Sequence, residues 1–179
     1  MLKTLHQIAS IGIATEQAPQ ADASLRIRDG LQESIRAALG RALCIRHIDA
    51  GSCNGCELEI HALNNPLYNI EGLGIRFVAS PRHADLLLVT GPVARNMEMA
   101  LRRTYDATPD PKLVVAIGAC GCTGGIFGES YASCGRVSNV IPVDVAVPGC
   151  PPSPTRILQG ILAAISRAGA TTAGAGAPP

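Results

Sequence analysis

The chain has 179 residues, a length that suits one domain with its own hydrophobic core. Hydrophobic residues make up 47% of it and charged residues 16%, which excludes a chain that is disordered over most of its length and favours a surface covered in part by other subunits. A formal net charge of +1, 3% aromatic residues and no Trp give neither the electrostatic attraction nor the stacking surfaces that nucleic-acid binding requires.

Neither a membrane anchor nor a signal peptide is predicted. No apolar run reaches the roughly 20 residues that cross a bilayer, and the first 15 residues contain no convincing cleavage site. We therefore expect an intracellular protein, in which seven cysteines, an odd number, favour metal ligation over a disulfide framework.

Residues 1–42 are predicted to form an N-terminal extension with an amphipathic helix. Residues 16–23 are polar and are predicted to be mobile. From Ser24 to Leu43, apolar residues recur at close to helical spacing with charges between them, which predicts a helix. This helix can pack on its own domain or on a neighbouring subunit.

Residues 43–167 are predicted to form one open α/β domain. Apolar runs that are typical of strands alternate with helical segments, and two of the runs are apolar throughout, as in parallel strands that are buried on both faces. The predicted strands are 43–48, 74–79, 85–90, 112–117 and 140–147, and the predicted helices are 57–63, 96–104 and one from Ser153 or Thr155 to about Arg167. Residues 121–139 are expected to be an irregular loop, and 168–179 a disordered tail.

Three strand-to-loop junctions carry cysteine. Cys53 and Cys56 follow the first predicted strand, Cys120 follows the strand 112–117, and Cys150 follows the last strand. Because the carboxyl ends of parallel strands meet at one edge of a sheet, we expect these four thiols to converge there. Four thiolates can hold a metal cluster.

The spacing favours a four-iron cluster but leaves zinc and buried or redox-active cysteines open. Structural zinc sites usually carry two compact cysteine pairs, whereas Cys120 and Cys150 are single and far apart in the sequence. Glycine-rich and proline-rich loops around the thiols suit a cluster whose sulfides accept N–H hydrogen bonds.

The other cysteines and the histidines are predicted to have structural roles. We expect Cys44 to be a small buried residue within a strand, Cys122 to lie too near Cys120 for both to bind one centre, and Cys134 to lie in the irregular loop. Three histidines share no spacing and are predicted to be surface or packing residues: His47, His61 and His83.

Three stretches of the sequence, in order, resemble motifs of a known family: residues 53–59 (CNGCELE), 118–127 (GACGCTGGIF) and 141–152 (IPVDVAVPGCPP). The family unites the small subunit of group 4 energy-converting, membrane-bound [NiFe]-hydrogenases with the B subunit (20 kDa) of complex I. The resemblance covers about residues 43–167.

The resemblance implies a flavodoxin-like, mainly parallel sheet whose loops bind a single [4Fe–4S] cluster at one edge. It implies that the cluster ligands are Cys53, Cys56, Cys120 and Cys150. Complex I B subunits have two adjacent cysteines at the first motif, whereas this chain has the Cys-x-x-Cys form of the hydrogenase branch. Small subunits of uptake hydrogenases are longer and bear further clusters, for which this chain lacks the cysteines.

The resemblance further implies an electron-transfer subunit. It would relay electrons between a ferredoxin-like iron–sulfur subunit and a nickel–iron large subunit, and it would lie in the cytoplasm on the inner face of the cell membrane, attached through integral membrane subunits. A B-type subunit of a complex I-like quinone-reducing module is the alternative, and a purely structural metal site in an assembly protein is a third possibility.

Two acidic residues follow Cys56 in the first motif. Glu59 matches a family glutamate at the subunit boundary, which makes it a candidate for the proton path, with a purely structural role left open. Glu57 is expected to be an acid that the helix dipole favours near a helix N-terminus.

Overall fold

The computed structural model describes residues 2–11 and 23–173 of the chain. Its helices are α1 (Leu2–Ile11), α2 (Ala23–Leu39), α3 (Gly55–Ala62), α4 (Arg95–Ala107), α5 (Gly118–Thr123) and α6 (Pro154–Ala173). Its strands are β1 (Leu43–Asp49), β2 (Ile75–Phe77), β3 (Leu86–Thr90), β4 (Leu113–Ile117) and β5 (Val145–Val147).

The strands pair into a single open sheet in the order β2-β1-β3-β4-β5, and every pair is parallel. Strand β3 lies in the middle, and all five of its residues are buried, as predicted for a continuous apolar run. The predicted flavodoxin-like α/β fold is therefore confirmed. All the strand carboxyl ends lie along one edge, which is the edge that carries the cysteine loops.

Hydrophobic residues cover both faces of the sheet. On one face the core includes residues of α2, α3 and α6. On the other face it includes Leu101 of α4 and residues of the segment 134–141. This two-sided burial fixes the sheet within the domain and leaves the loops at its carboxyl edge free to form a site.

Helix α2 packs on the domain of this chain. It lies against α6, and its residues Leu31 and Ile35 are buried in the core. The helix ends at Leu39 and not at Leu43, because Gly40 takes a left-handed conformation (φ +62°) and donates its N–H to the carbonyl oxygen of Arg36. The predicted mobile lead falls outside the described residues, apart from Ala23, which begins α2.

The last predicted strand was too long. Of residues 140–147, the segment 145–147 forms β5. Val140 instead donates its N–H to the carbonyl oxygen of Val137 in a short turn, and Pro142 has no N–H to offer a neighbouring strand.

Two segments are helical where the sequence predicted irregular chain. Helix α5 occupies 118–123, part of which was assigned to the irregular loop. Helix α6 continues to Ala173, so residues 168–173 of the predicted disordered tail are helical. Residues 174–179 lie outside the described part of the chain.

The described helices can be compared with the length and composition of a membrane-spanning helix. Of the helices that the structure describes, none combines the length and the apolar composition needed to cross a bilayer.

The packing of α2 predicts the effect of truncating a core residue. Leu31→Ala removes a fully buried side chain from between α2 and the domain, so we expect it to lower the free energy of unfolding by about 2–5 kcal/mol. Urea unfolding followed by circular dichroism measures the change. Met99→Ala, on an exposed position of α4, is the control and should change the stability little; equal stability of the two variants would show that α2 does not belong to the core.

Candidate metal centre

The loop after β1 is held in a tight turn that presents Cys53 and Cys56. The side chain of Asp49, the last residue of β1, accepts hydrogen bonds from the N–H groups of Gly51 and Ser52, both at 2.8 Å. Asn54 then takes a left-handed conformation (φ 71°), which asparagine tolerates better than most residues, and α3 begins at the next residue. Cys56 therefore lies in the first turn of α3, and Cys53 is exposed just before it.

The Cys120 and Cys150 loops are joined by their backbones. Helix α5 begins directly at the end of β4 and carries Cys120 as its third residue. The N–H of Ala119 donates to the carbonyl oxygen of Gly149 at 2.6 Å, which brings the start of α5 against the loop that bears Cys150. Cys120 is partly buried, and Cys150 is exposed.

Two glycines leave room for the sulfur atoms. A Cβ atom on Gly118 would lie 2.6 Å from Sγ of Cys56, and a Cβ atom on Gly125 would lie 2.8 Å from Sγ of Cys120. Both glycines have positive φ angles, +85° and +56°, which most other residues avoid. Any side chain at these positions would displace a thiol, so the backbone forms a cradle shaped for the sulfurs.

The four thiols lie close enough to act on one another electrostatically. Burial, the carboxylate of Glu57 and the thiols of Cys53, Cys120 and Cys150 raise the pKa of Cys56 to about 12. Burial and the thiols of Cys150 and Cys53 raise the pKa of Cys120 as well. The four cysteines that the sequence singled out therefore lie within range of one another's charge at this edge of the sheet.

This donor set fits an iron–sulfur cluster. Several thiolates in one partly buried place repel one another, and metal cations compensate that charge. Among the described residues, no group of three or more His, Cys, Asp or Glu side chains is arranged to hold a metal ion as it stands. In a cluster, each thiolate binds its own iron atom, and backbone N–H groups can donate to the sulfides.

The remaining cysteines are engaged elsewhere. The thiol of Cys122 contacts the carbonyl oxygen of Ala116 at 3.6 Å. Cys134 is buried, and its thiol contacts a carboxylate oxygen of Glu98 at 3.3 Å. Cys44 lies in β1, as predicted, and is partly buried.

The sequence did not predict that the carboxyl group of Glu57 is buried beside the site. Glu57 lies in the first turn of α3, as predicted, but it is only 6% exposed. It accepts a hydrogen bond from the hydroxyl of Thr90, the last residue of β3, and its Oε1 lies 3.7 Å from Nε2 of His47. Three residues from three separate segments meet here, and no spacing in the sequence signals that. Glu59, by contrast, is partly exposed.

The fold and the site together define a class of protein: an open parallel α/β domain whose strand ends gather thiols for a metal centre. The family model for the 20 kDa subunit of NADH ubiquinone oxidoreductase matches residues 53–164, and the chain belongs to this family.

Individual relatives are similar over most of the domain. The chain is 48% identical over 129 residues to the probable membrane-bound hydrogenase subunit mbhJ of Pyrococcus furiosus, which covers 72% of this chain and 77% of that protein. It is 44% identical over 135 residues to formate hydrogenlyase subunit 7 of Escherichia coli, or 75% of this chain and 53% of that protein.

A solved structure is similar as well. A chain of the membrane-bound sulfane sulfur reductase, an archaeal respiratory membrane complex, matches with a TM-score of 0.65 and 31% identity over 85% of this chain and 79% of that one. The relatives are therefore subunits of oxidoreductase complexes associated with membranes.

The convergence of the four thiols predicts the effect of replacing each one. Cys53→Ser, Cys56→Ser, Cys120→Ser and Cys150→Ser should each lose most of the bound iron, because each removes one of four ligands. Cys44→Ser and Cys122→Ser are matched controls from outside the group and should retain their iron. Iron analysis after anaerobic purification measures the outcome, and a member of the group of four that keeps all its iron is not a ligand.

The burial of His47 predicts a dependence of stability on pH. Burial lowers the pKa of His47 in the folded state. As the pH falls below about 6.5, the ordinary pKa of histidine, His47 becomes protonated in the unfolded chain but stays neutral in the folded chain. The free energy of unfolding therefore decreases until the pH falls below the lower pKa of the folded state.

We expect His47→Gln to reduce this loss of stability on acidification, and the exposed His83→Gln to leave it unchanged. Urea unfolding from about pH 7.5 down to about pH 5 tests the expectation across the ordinary histidine pKa. Identical slopes for the wild type and His47→Gln would show that His47 does not contribute.

Proposed function

We propose that this chain is the electron-transfer subunit of a membrane-associated [NiFe]-hydrogenase complex and that it binds one [4Fe–4S] cluster. The observation that carries the proposal is the grouping of Cys53, Cys56, Cys120 and Cys150 in loops whose glycines leave space for the sulfurs. The similarity to a probable membrane-bound hydrogenase subunit and to a formate hydrogenlyase subunit supports the hydrogenase assignment.

The residues of this chain would have three tasks. The four cysteines hold the cluster at a fixed place, the loops exclude water from its inner side, and backbone N–H groups donate to its sulfurs. When bound, a [4Fe–4S] cluster supplies one-electron transfer at a potential that these surroundings set. The chain would not bind nickel, because that site belongs to the large subunit.

We propose three kinds of partner: a nickel–iron large subunit, a ferredoxin-like iron–sulfur subunit and integral membrane subunits that attach the complex to the inner face of the cell membrane. Exposed apolar residues near the thiols support protein contacts there. Leu58 follows the first cysteine pair and is 62% exposed, and Ile126, shortly after Cys120, is 94% exposed. Large apolar side chains in such positions are typical of surfaces that a partner covers. We propose no nucleic-acid partner.

The relatives leave a second role open for the same metal centre. The family model is that of a complex I subunit, so a B-type subunit of a complex I-like NADH or ferredoxin:quinone oxidoreductase module is the alternative function. The Cys-x-x-Cys form of the first motif favours the hydrogenase branch over this alternative.

One purification distinguishes the two functions. The chain is tagged in its native host, and the complex that co-purifies under anaerobic conditions is analysed for metals and for H2-dependent reduction of a dye. Nickel together with iron and H2 activity would support the hydrogenase subunit. Iron without nickel or H2 activity would overturn the hydrogenase assignment and favour the quinone-reducing module.

We propose Glu59 as a residue of the proton path between this chain and the large subunit. It lies on α3 three residues after Cys56, so it is one helical turn from a ligand, and it is partly exposed. Its side chain can therefore reach a neighbouring subunit while remaining close to the metal centre.

Glu59→Gln tests this role, because it keeps the size of the side chain but removes the group that carries the proton. The variant complex should keep its iron and lose turnover by roughly 10²-fold, the lower end of the range for a lost proton-transfer group. Glu71→Gln, an exposed acid far from the thiols in sequence, is the control. Unchanged turnover of Glu59→Gln would assign Glu59 a structural role only.

A further inference from the structure

The carboxylate of Glu57 is buried directly beside a predicted cluster ligand. Its residue follows Cys56 in the first turn of α3 and is 6% exposed. Acidic side chains are almost never buried to this extent unless a partner compensates them. Among the described residues, its Oε2 has no hydrogen-bond partner, and Nε2 of His47, whose pKa burial lowers, lies 3.7 Å from Oε1. So few polar contacts are unusual for a buried acidic side chain.

A chain of polar contacts connects this carboxylate to the two central strands. Thr90 ends β3 and donates its hydroxyl to Oε1 of Glu57. Nε2 of His47, on β1, lies 3.2 Å from the hydroxyl oxygen of Thr90. Strands β1 and β3 pair directly, with Asp49 opposite Thr90, so both contacts start from paired strands of the sheet.

The start of α3 lacks the usual side-chain support. Its N-cap residue, Asn54, makes no hydrogen bond from its side chain to the helix. Since capping side chains normally fix the first turn, the contact between Glu57 and Thr90 supplies an anchor that the cap does not. This anchor lies one residue from Cys56, whose sulfur has to fit against Gly118.

We propose that Glu57 is a positioning and tuning residue for the metal centre: through Thr90 it fixes the first turn of α3, and with it Cys56, against the end of β3, and its carboxylate lowers the reduction potential of the cluster. The inference rests on the proposed function, since it presumes that Cys56 binds a [4Fe–4S] cluster.

The position and burial of Glu57 support the tuning role. Glu57 follows Cys56 directly in the first turn of α3 and is only 6% exposed, so little water lies between its carboxylate and a cluster bound to Cys56. A negative charge this close and this poorly screened disfavours the addition of an electron to the cluster, which lowers the potential.

Two substitutions separate positioning from tuning. Thr90→Val keeps the shape of the side chain and removes the hydroxyl, which leaves the carboxylate without its anchor. Glu57→Gln keeps an oxygen that accepts the hydrogen bond from Thr90 and removes the negative charge.

Two control variants make the same two changes away from the metal centre. Thr108→Val replaces another buried threonine, whose hydroxyl donates to the carbonyl oxygen of Thr104 on α4, and Glu98→Gln replaces an acid that contacts the non-ligand thiol of Cys134.

The variants are measured in the complete complex, purified anaerobically from the native host. The rate of iron loss to a chelator reports positioning, and redox titration followed by the EPR signal of the reduced cluster reports the potential. Thr90→Val should lose iron about tenfold faster than the wild type, as is typical when a residue that supports a ligand is lost. Glu57→Gln should shift the potential upwards and lose iron more slowly than Thr90→Val. Both controls should match the wild type.

Two results would contradict this role of Glu57. Wild-type iron loss in Thr90→Val, or a wild-type potential in Glu57→Gln, would overturn it, because a merely structural side chain moves neither quantity in this pattern. If Thr90→Val fails to assemble, the potential of Glu57→Gln still decides. A wild-type complex without a four-iron cluster would instead overturn the proposed function, so the two failures are distinguishable.

Discussion

The close approach of Sγ of Cys56 to Gly118 is the constraint on which the candidate site depends. A single added Cβ atom would lie 2.6 Å from that sulfur, so the start of α5 and the start of α3 can meet only where one of them has no side chain. The hydrogen bond from Ala119 to Gly149 then brings the third loop to the same place. Three loops that are distant in the sequence thereby deliver their thiols to one edge of the sheet.

That arrangement concentrates groups that repel one another when they ionise. Burial and the neighbouring acid and thiols raise the pKa of Cys56 to about 12. The apolar cores on the two faces of the sheet support such a site, and one of them extends to Cys56, which packs against its edge. The chain belongs to a family whose relatives are subunits of oxidoreductase complexes.

Sequence patterns predicted the elements whose local signal is strong. The apolar runs gave β1, β3 and β4 to within one or two residues, because strands buried on both faces require continuous apolar sequence. The predicted elements were wrong where tertiary contacts determine the backbone conformation. Helix α5 is rich in glycine and cysteine and has little helical propensity of its own, and β5 is short because residues 140–143 turn on Val137. Helix α6 extends beyond its predicted end near Arg167 to Ala173, although Gly169, Thr171 and Thr172 have low helical propensity.

The sequence by itself determined the type of fold and the four candidate ligands. Parallel strands that end in cysteine-bearing loops have to place those cysteines at one edge, whatever the details of packing. Only the tertiary structure decided what surrounds them. The meeting of Glu57 with Thr90 and His47, and the space that Gly118 and Gly125 leave for the sulfurs, depend on the register of β1 against β3 and on the angle at which α5 leaves β4. Such contacts join residues with no fixed spacing along the chain, because they arise from the distances between strands and loops in three dimensions.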